Sequence, residues 1–95
     1  MNIIEMIDRF ISNIPDSLAN IDKLIREEDW KQVFEAVHKM KPSYHFMGIH
    51  SLSDIIIKVE KNTFHKTDIS SIAQDFEIIK RITAQSIEEL KSEKE

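Results

Sequence analysis

Residues 29–48 read DWKQVFEAVHKMKPSYHFMG. Their apolar members fall at Trp30, Val33, Val37, Met40, Tyr44 and Met47, in steps of three, four, three, four and three. That spacing gathers them on one side of an α-helix and on neither side of a strand. The stretch therefore predicts an amphipathic helix with one buried stripe. Asp29 suits its N-cap, where a short carboxylate accepts from an amide of the first turn. Gly48, the only glycine of the chain, suits the left-handed position after the last turn.

The same periodicity extends outward on both sides. Ile3, Ile7, Phe10 and Ile11 are spaced as a helix near the N-terminus. Pro15 disfavours helical geometry in the residue before it, which predicts a break or kink near Asn13–Pro15. A second helix then runs to about Glu27 on the stripe Leu18, Ile21, Leu24 and Ile25. After Gly48, Ser51 and Asp54 have the spacing of a capping box ahead of the stripe Ile49, Leu52, Ile56 and Val59. Residues 62–67 read as a connection. Thr67 or Asp68 should cap a last helix whose stripe is Ile69, Ile72, Phe76, Ile79, Thr83, Ser86 and Leu90, with Ile87 beside it. The charged tail, residues 91–95, should fray. The expected fold is all-α: an antiparallel up-and-down four-helix bundle with an additional short N-terminal helix, one domain over residues 1–95.

Composition agrees. One glycine and two prolines are too few for hairpins, and no cysteine is present to staple the fold or act as a thiolate. The net charge of −4 opposes a general nucleic-acid partner. Acids interrupt the N-terminal apolar residues, which excludes a signal peptide or membrane span there, and the chain is expected to be cytoplasmic. Charge is unevenly spread. Residues 31–50 hold Lys31, Lys39 and Lys41 against Glu35 alone, with three of the four histidines, while the remainder is acidic. Such an island would attract an acidic partner surface or a phosphoryl group.

His38 stands within that island and off the buried stripe, roughly 130° from its centre at about 100° per residue. A water-facing imidazole near pH 7 is largely neutral and nucleophilic. Phe34, His38, Lys41 and His45 share one flank of the helix, with Lys31 and Pro42 further towards water. Lys41, one turn on, could support negative charge on a phosphoryl group carried by His38. Pro42 breaks a local rule. A mid-helix proline lacks an N–H and crowds the carbonyl four residues back, here that of His38, at a cost of ~3 kcal/mol. The Ser43 hydroxyl could return part of the lost hydrogen bonding. Glu35 and His38 have the Glu-x-x-His spacing of di-iron bundles, but the motif occurs once and faces outward, so no metal site is expected.

The run His38-x-x-Lys41-Pro42-Ser43 followed by Gly48 resembles the phosphorylation motif of histidine-containing phosphotransfer (HPt) domains, usually His-x-x-Lys-Gly-Ser or Ala with a glycine ten residues after the histidine. Asp29-Trp30, Ala36 and Leu52 with Val59-Glu60 also look like that family, and the likeness spans roughly residues 14–90. Pro42 departs from the usual glycine, and His45 from a usual small residue. The resemblance implies a phosphorelay protein. His38 would be the phosphorylated nucleophile, Lys41 would stabilise the phosphoryl charge, and Ser43 and Gly48 would complete the motif. Lys31, Phe34, Glu35, Pro42 and His45 would border the docking surface. The implied partners are receiver domains of response regulators or hybrid sensor kinases, which supply the phosphoaspartate and the Mg²⁺. The chain itself needs no cofactor and is expected to act as a monomer. With no glycine-rich ATP-binding segment, it is expected not to be a kinase or an enzyme of its own. The alternative, motivated by Pro42, is a bundle that docks a receiver or kinase without accepting phosphate.

Overall fold

The computed structural model describes residues 2–94; Met1 and Glu95, the two ends of the expected domain, lie outside the described residues. Four α-helices follow one another: α1 (Ile3–Arg26), α2 (Trp30–Phe46), α3 (Ser53–His65) and α4 (Ile69–Lys94), with a 3₁₀ turn at His50–Leu52 leading into α3. Each helix packs on the next, and α4 closes the ring on α1. The connections are short, so neighbours run antiparallel, as the apolar periodicity predicts. Among the described residues there is no strand. One apolar cluster fills the centre, built from Ile21 and Leu24 of α1, Val33, Val37 and Met40 of α2, Ile56 and Val59 of α3, and Ile72, Phe76 and Ile79 of α4.

The expected short N-terminal helix is not a separate element. α1 is continuous for 24 residues and passes through Pro15. The proline ring lies on the exposed face, so the carbonyl it deprives of a donor can turn to water. Phe10, Ile14 and Leu18, on the buried face around it, hold the helix in line by packing. Burial overrides the local preference against proline. Ile3, expected to join the stripe, is 70% exposed instead.

α4 continues through the charged tail to Lys94. Two further local readings need correction. The Ser51–Asp54 capping box does not form, because the 3₁₀ turn enters α3 directly and the Ser53 amide donates to the His50 carbonyl. Residues 62–65 extend α3 rather than forming a loop. There the Thr63 hydroxyl donates to the Glu60 carbonyl at 2.9 Å, which satisfies a buried polar group inside the helix.

The ends of α2 match the reading. The Asp29 carboxylate accepts from the Gln32 amide at 3.3 Å. Gly48 is left-handed at φ 72°, its amide donates to the His45 carbonyl, and the Ile49 amide donates to the Tyr44 carbonyl. That pair of bonds is a Schellman end, which closes the helix one turn after the motif. α1 ends by the same bond pattern with Glu28 at φ 56°, a residue that carries a Cβ into the left-handed region.

A polar contact crosses the core. The Tyr44 hydroxyl lies 2.7 Å from Thr83 Oγ1, tying α2 to α4, and the Phe10 ring meets Tyr44 edge-on at 5.4 Å. Burial pushes the Tyr44 phenol up to about 12, and the hydrogen bond to Thr83 offsets this only partly. Raised in the fold above its unfolded value, the phenol contributes stability fully below pH ~10 and loses it as pH rises towards ~12. The shift corresponds to roughly 2–3 kcal/mol. Alkaline unfolding should therefore coincide with tyrosinate absorbance, unambiguous because Tyr44 is the only tyrosine. Tyrosinate forming at the ordinary value with the helices intact would contradict the buried placement.

Candidate functional site

α2 positions the site and α3 completes it. His38 lies on the α2 flank facing away from the core, its side chain 65% exposed. Across the groove, Glu60 of α3 reaches it. Glu60 Oε2 is 2.6 Å from His38 Nδ1, and Glu60 Oε1 is 2.9 Å from Lys41 Nζ. One carboxylate, 13% exposed, thus holds both motif residues. The spacing of three on α2 makes this possible, because His38 and Lys41 are neighbours one turn apart.

The protonation of this cluster follows from its geometry. Burial pushes the Glu60 carboxyl up, but the hydrogen bonds from Lys41 and His38, with the nearby Lys41 charge, more than offset it and hold the group below its usual range. Glu60 is therefore ionised at neutral pH and can only accept. His38 Nδ1 must then carry the proton and donate. In the neutral ring the lone pair is left on Nε2, the nitrogen away from Glu60. The site is a largely exposed imidazole whose tautomer is set by the carboxylate on Nδ1.

Aromatic side chains border His38 on one side. The Phe34 ring lies 5.7 Å from the imidazole and 5.1 Å from the Phe64 ring, and Phe64 is exposed. On the other side a groove of about 360 Å³ between α2 and α3 is lined by Lys41, Pro42, His45, Phe46, Ile56 and Ile57. His45 stands against His50 at 5.8 Å between ring centres. The phosphoacceptor candidate thus lies between two partly exposed apolar patches on the α2–α3 face.

Not every residue singled out in the sequence converges there. Phe34, Lys41, Pro42 and His45 share the face of His38. Lys31 and Glu35 are exposed on α2 one to two turns earlier. Ser43 turns to the opposite groove, between α1 and α2, with Ser17 and Asn20. Gly48 ends the helix and makes no part of the His38 surroundings. Pro42 leaves α2 helical throughout, so its effect is confined to the missing donor for the His38 carbonyl. The sequence alone gives Glu60 no site role and puts Phe64 in a connection. The signals for Glu60 are its position one step past Val59, on the flank of a buried stripe, and the likeness of Val59-Glu60 to the HPt family.

No group of three or more His, Cys, Asp or Glu side chains is placed to hold a metal among the described residues. No helix among them is long and apolar enough to cross a membrane.

The geometry defines a class: a helical bundle that offers one solvent-facing histidine anchored by a carboxylate. The family model of the Hpt domain matches residues 5–93, nearly the whole chain, and the chain belongs to that family. Hpt domains are phosphocarrier modules of two-component phosphorelays, not kinases, and they work with receiver domains. No curated protein and no solved structure matches the chain.

Proposed function

We propose that this chain is a phosphorelay intermediate, which takes a phosphoryl group on His38 from a receiver phosphoaspartate and passes it to a second receiver. The observation that carries the reading is the ring of His38, its side chain 65% exposed and its Nδ1 anchored by Glu60. Nε2 attacks phosphorus in line, and the aspartate carboxylate leaves. The bundle supplies a nucleophile already oriented, so position is its main contribution to rate. The Mg²⁺ belongs to the receiver. Phe34, Phe64, Pro42, His45 and Ile57 form the apolar part of the docking face, with Lys31 and Glu35 at its edge. The module acts as a cytoplasmic monomer.

Incubation with phosphorylated receivers should give an acid-labile, alkali-stable adduct on His38. Receiver binding without any adduct would instead favour a docking module that accepts no phosphate.

Lys41 has a second role to play once the group arrives. Its ammonium, paired to Glu60 in the resting site, lies one turn from His38 and can swing to the phosphoryl oxygens. Lys41→Met should slow transfer by roughly tenfold, below the larger losses seen for fully buried donors because Lys41 is partly solvated. The melting temperature should move little, since a partly exposed ion pair contributes up to ~1 kcal/mol. Stopped transfer assays and thermal melts on the same variant separate the two effects; a collapse in stability with unchanged rate would make Lys41 structural.

A further inference from the structure

Carrying a phosphoryl group requires giving it up, and the atoms behind the His38 ring govern that step. We propose that Glu60 is a positioning residue for release: it keeps the Nδ1 proton on the phosphorylated ring and thereby sets the highest pH at which the group remains transferable. The proposal rests on His38 being the phosphoacceptor.

The electron count makes the case. In acceptance, the Nε2 lone pair forms the P–N bond, the P–O bond to aspartate breaks, and its electron pair departs on the carboxylate. The Nδ1 proton stays in place, so the phosphorylated ring is cationic. In release, an oxygen nucleophile forms a new P–O bond and the P–N pair returns to Nε2. With Nδ1 protonated, the leaving group is neutral imidazole. With Nδ1 deprotonated, it is the imidazolate anion, a far poorer leaving group. One proton therefore separates a labile carrier from an inert adduct.

Glu60 is built to hold that proton. Its Oε2 lies 2.6 Å from Nδ1, its carboxylate is largely covered, and its other oxygen is fixed by Lys41 at 2.9 Å. An opposite charge in direct contact favours the protonated form of a ring. The other charged groups nearby are weaker influences. On α2, Lys41 opposes the ring cation both when paired to Glu60, as in the resting site, and when drawn to the phosphoryl oxygens, and Glu35, Lys39 and His45 are solvent-exposed. On α3, Lys61 and His65 are exposed, and His65 stands against Phe64 rather than His38. α1 packs on the other side of α2, along the Ser43 groove.

The test needs no cognate receiver. The intact protein and its Glu60→Gln variant are phosphorylated with phosphoramidate, and loss of the adduct to water is followed across pH. Water forms the P–O bond and releases a proton to solvent, while imidazole leaves as above. Hydrolysis of the wild-type adduct should fall off with rising pH about one unit later than that of Glu60→Gln. Nitrogen NMR of the labelled ring should show Nδ1 losing its proton over the same range. Lys41→Met, which removes a cation that disfavours the protonated ring from either position, should move the midpoint the opposite way. A merely structural role would lower the whole Glu60→Gln profile without moving its midpoint, and that result overturns the proposal. An adduct that forms on His38 with identical midpoints overturns it as well while leaving the phosphoacceptor reading intact. No adduct on wild-type His38 removes both.

Discussion

His38→Gln should abolish phosphoryl acceptance from every receiver while leaving the bundle folded. Glutamine keeps a polar side chain on the same flank but has no nucleophilic lone pair, since its amide nitrogen is delocalised into the carbonyl. Nothing else on the face replaces it: His45 is two turns away and is not anchored by Glu60. The structural cost is small because His38 is mostly exposed and contributes one side-chain hydrogen bond, to Glu60. Glu60 keeps Lys41 as a partner, so no buried charge is stranded. The loss should be under ~1.5 kcal/mol, a shift of several degrees in melting temperature for a domain of this size. Phosphotransfer assays with circular dichroism on the same sample check both halves. A phosphoryl adduct of unchanged yield and alkali stability in the variant would move the site to another histidine.

Phe76→Ala should have the largest effect on the fold itself. The ring is 1% exposed at the middle of the α4 stripe, between Ile72 and Ile79. Deleting it removes most of a buried aromatic side chain and leaves a cavity among helices that cannot all move inward, which costs ~3–5 kcal/mol. Small domains have only ~5–15 kcal/mol in total. At about 4–8 °C per kcal/mol, the melting temperature should drop by tens of degrees. Denaturant titration gives the free energy directly. A cost below ~1 kcal/mol would mean that α4 does not close the core as described.

Most of the fold was legible because burial leaves a periodic trace. Val33, Val37, Met40 and Tyr44 announced the inner face of α2, and Ile72, Phe76, Ile79 and Thr83 that of α4. Asp29 and Gly48 marked helix ends through chemistry local to each terminus. Two expectations fail because a local preference gives way to its surroundings. Pro15 looks like a break until Ile14 and Leu18 are buried on either side of it. Asn62 and Thr63 look like loop residues until the Thr63 hydroxyl finds the Glu60 carbonyl. Glu28 adopts a left-handed turn that glycine usually marks, yet the apolar stripe, which stops at Ile25, still places the end of α1 near Glu27. The site divides the same way. His38 and Lys41 are close in sequence, and their spacing reveals them. Glu60 is 22 residues from His38, and only the register of α3 against α2 brings them together.

Because one carboxylate grips both motif residues, the three side chains form a single thermodynamic unit. Removing Lys41 changes what Glu60 offers to His38, and removing Glu60 frees both at once. Effects of substitutions at these positions therefore cannot add, and a double-mutant cycle across any two measures the coupling between them. A change tolerated at one position alters the set of residues the other two can accept, so the trio is constrained to vary together.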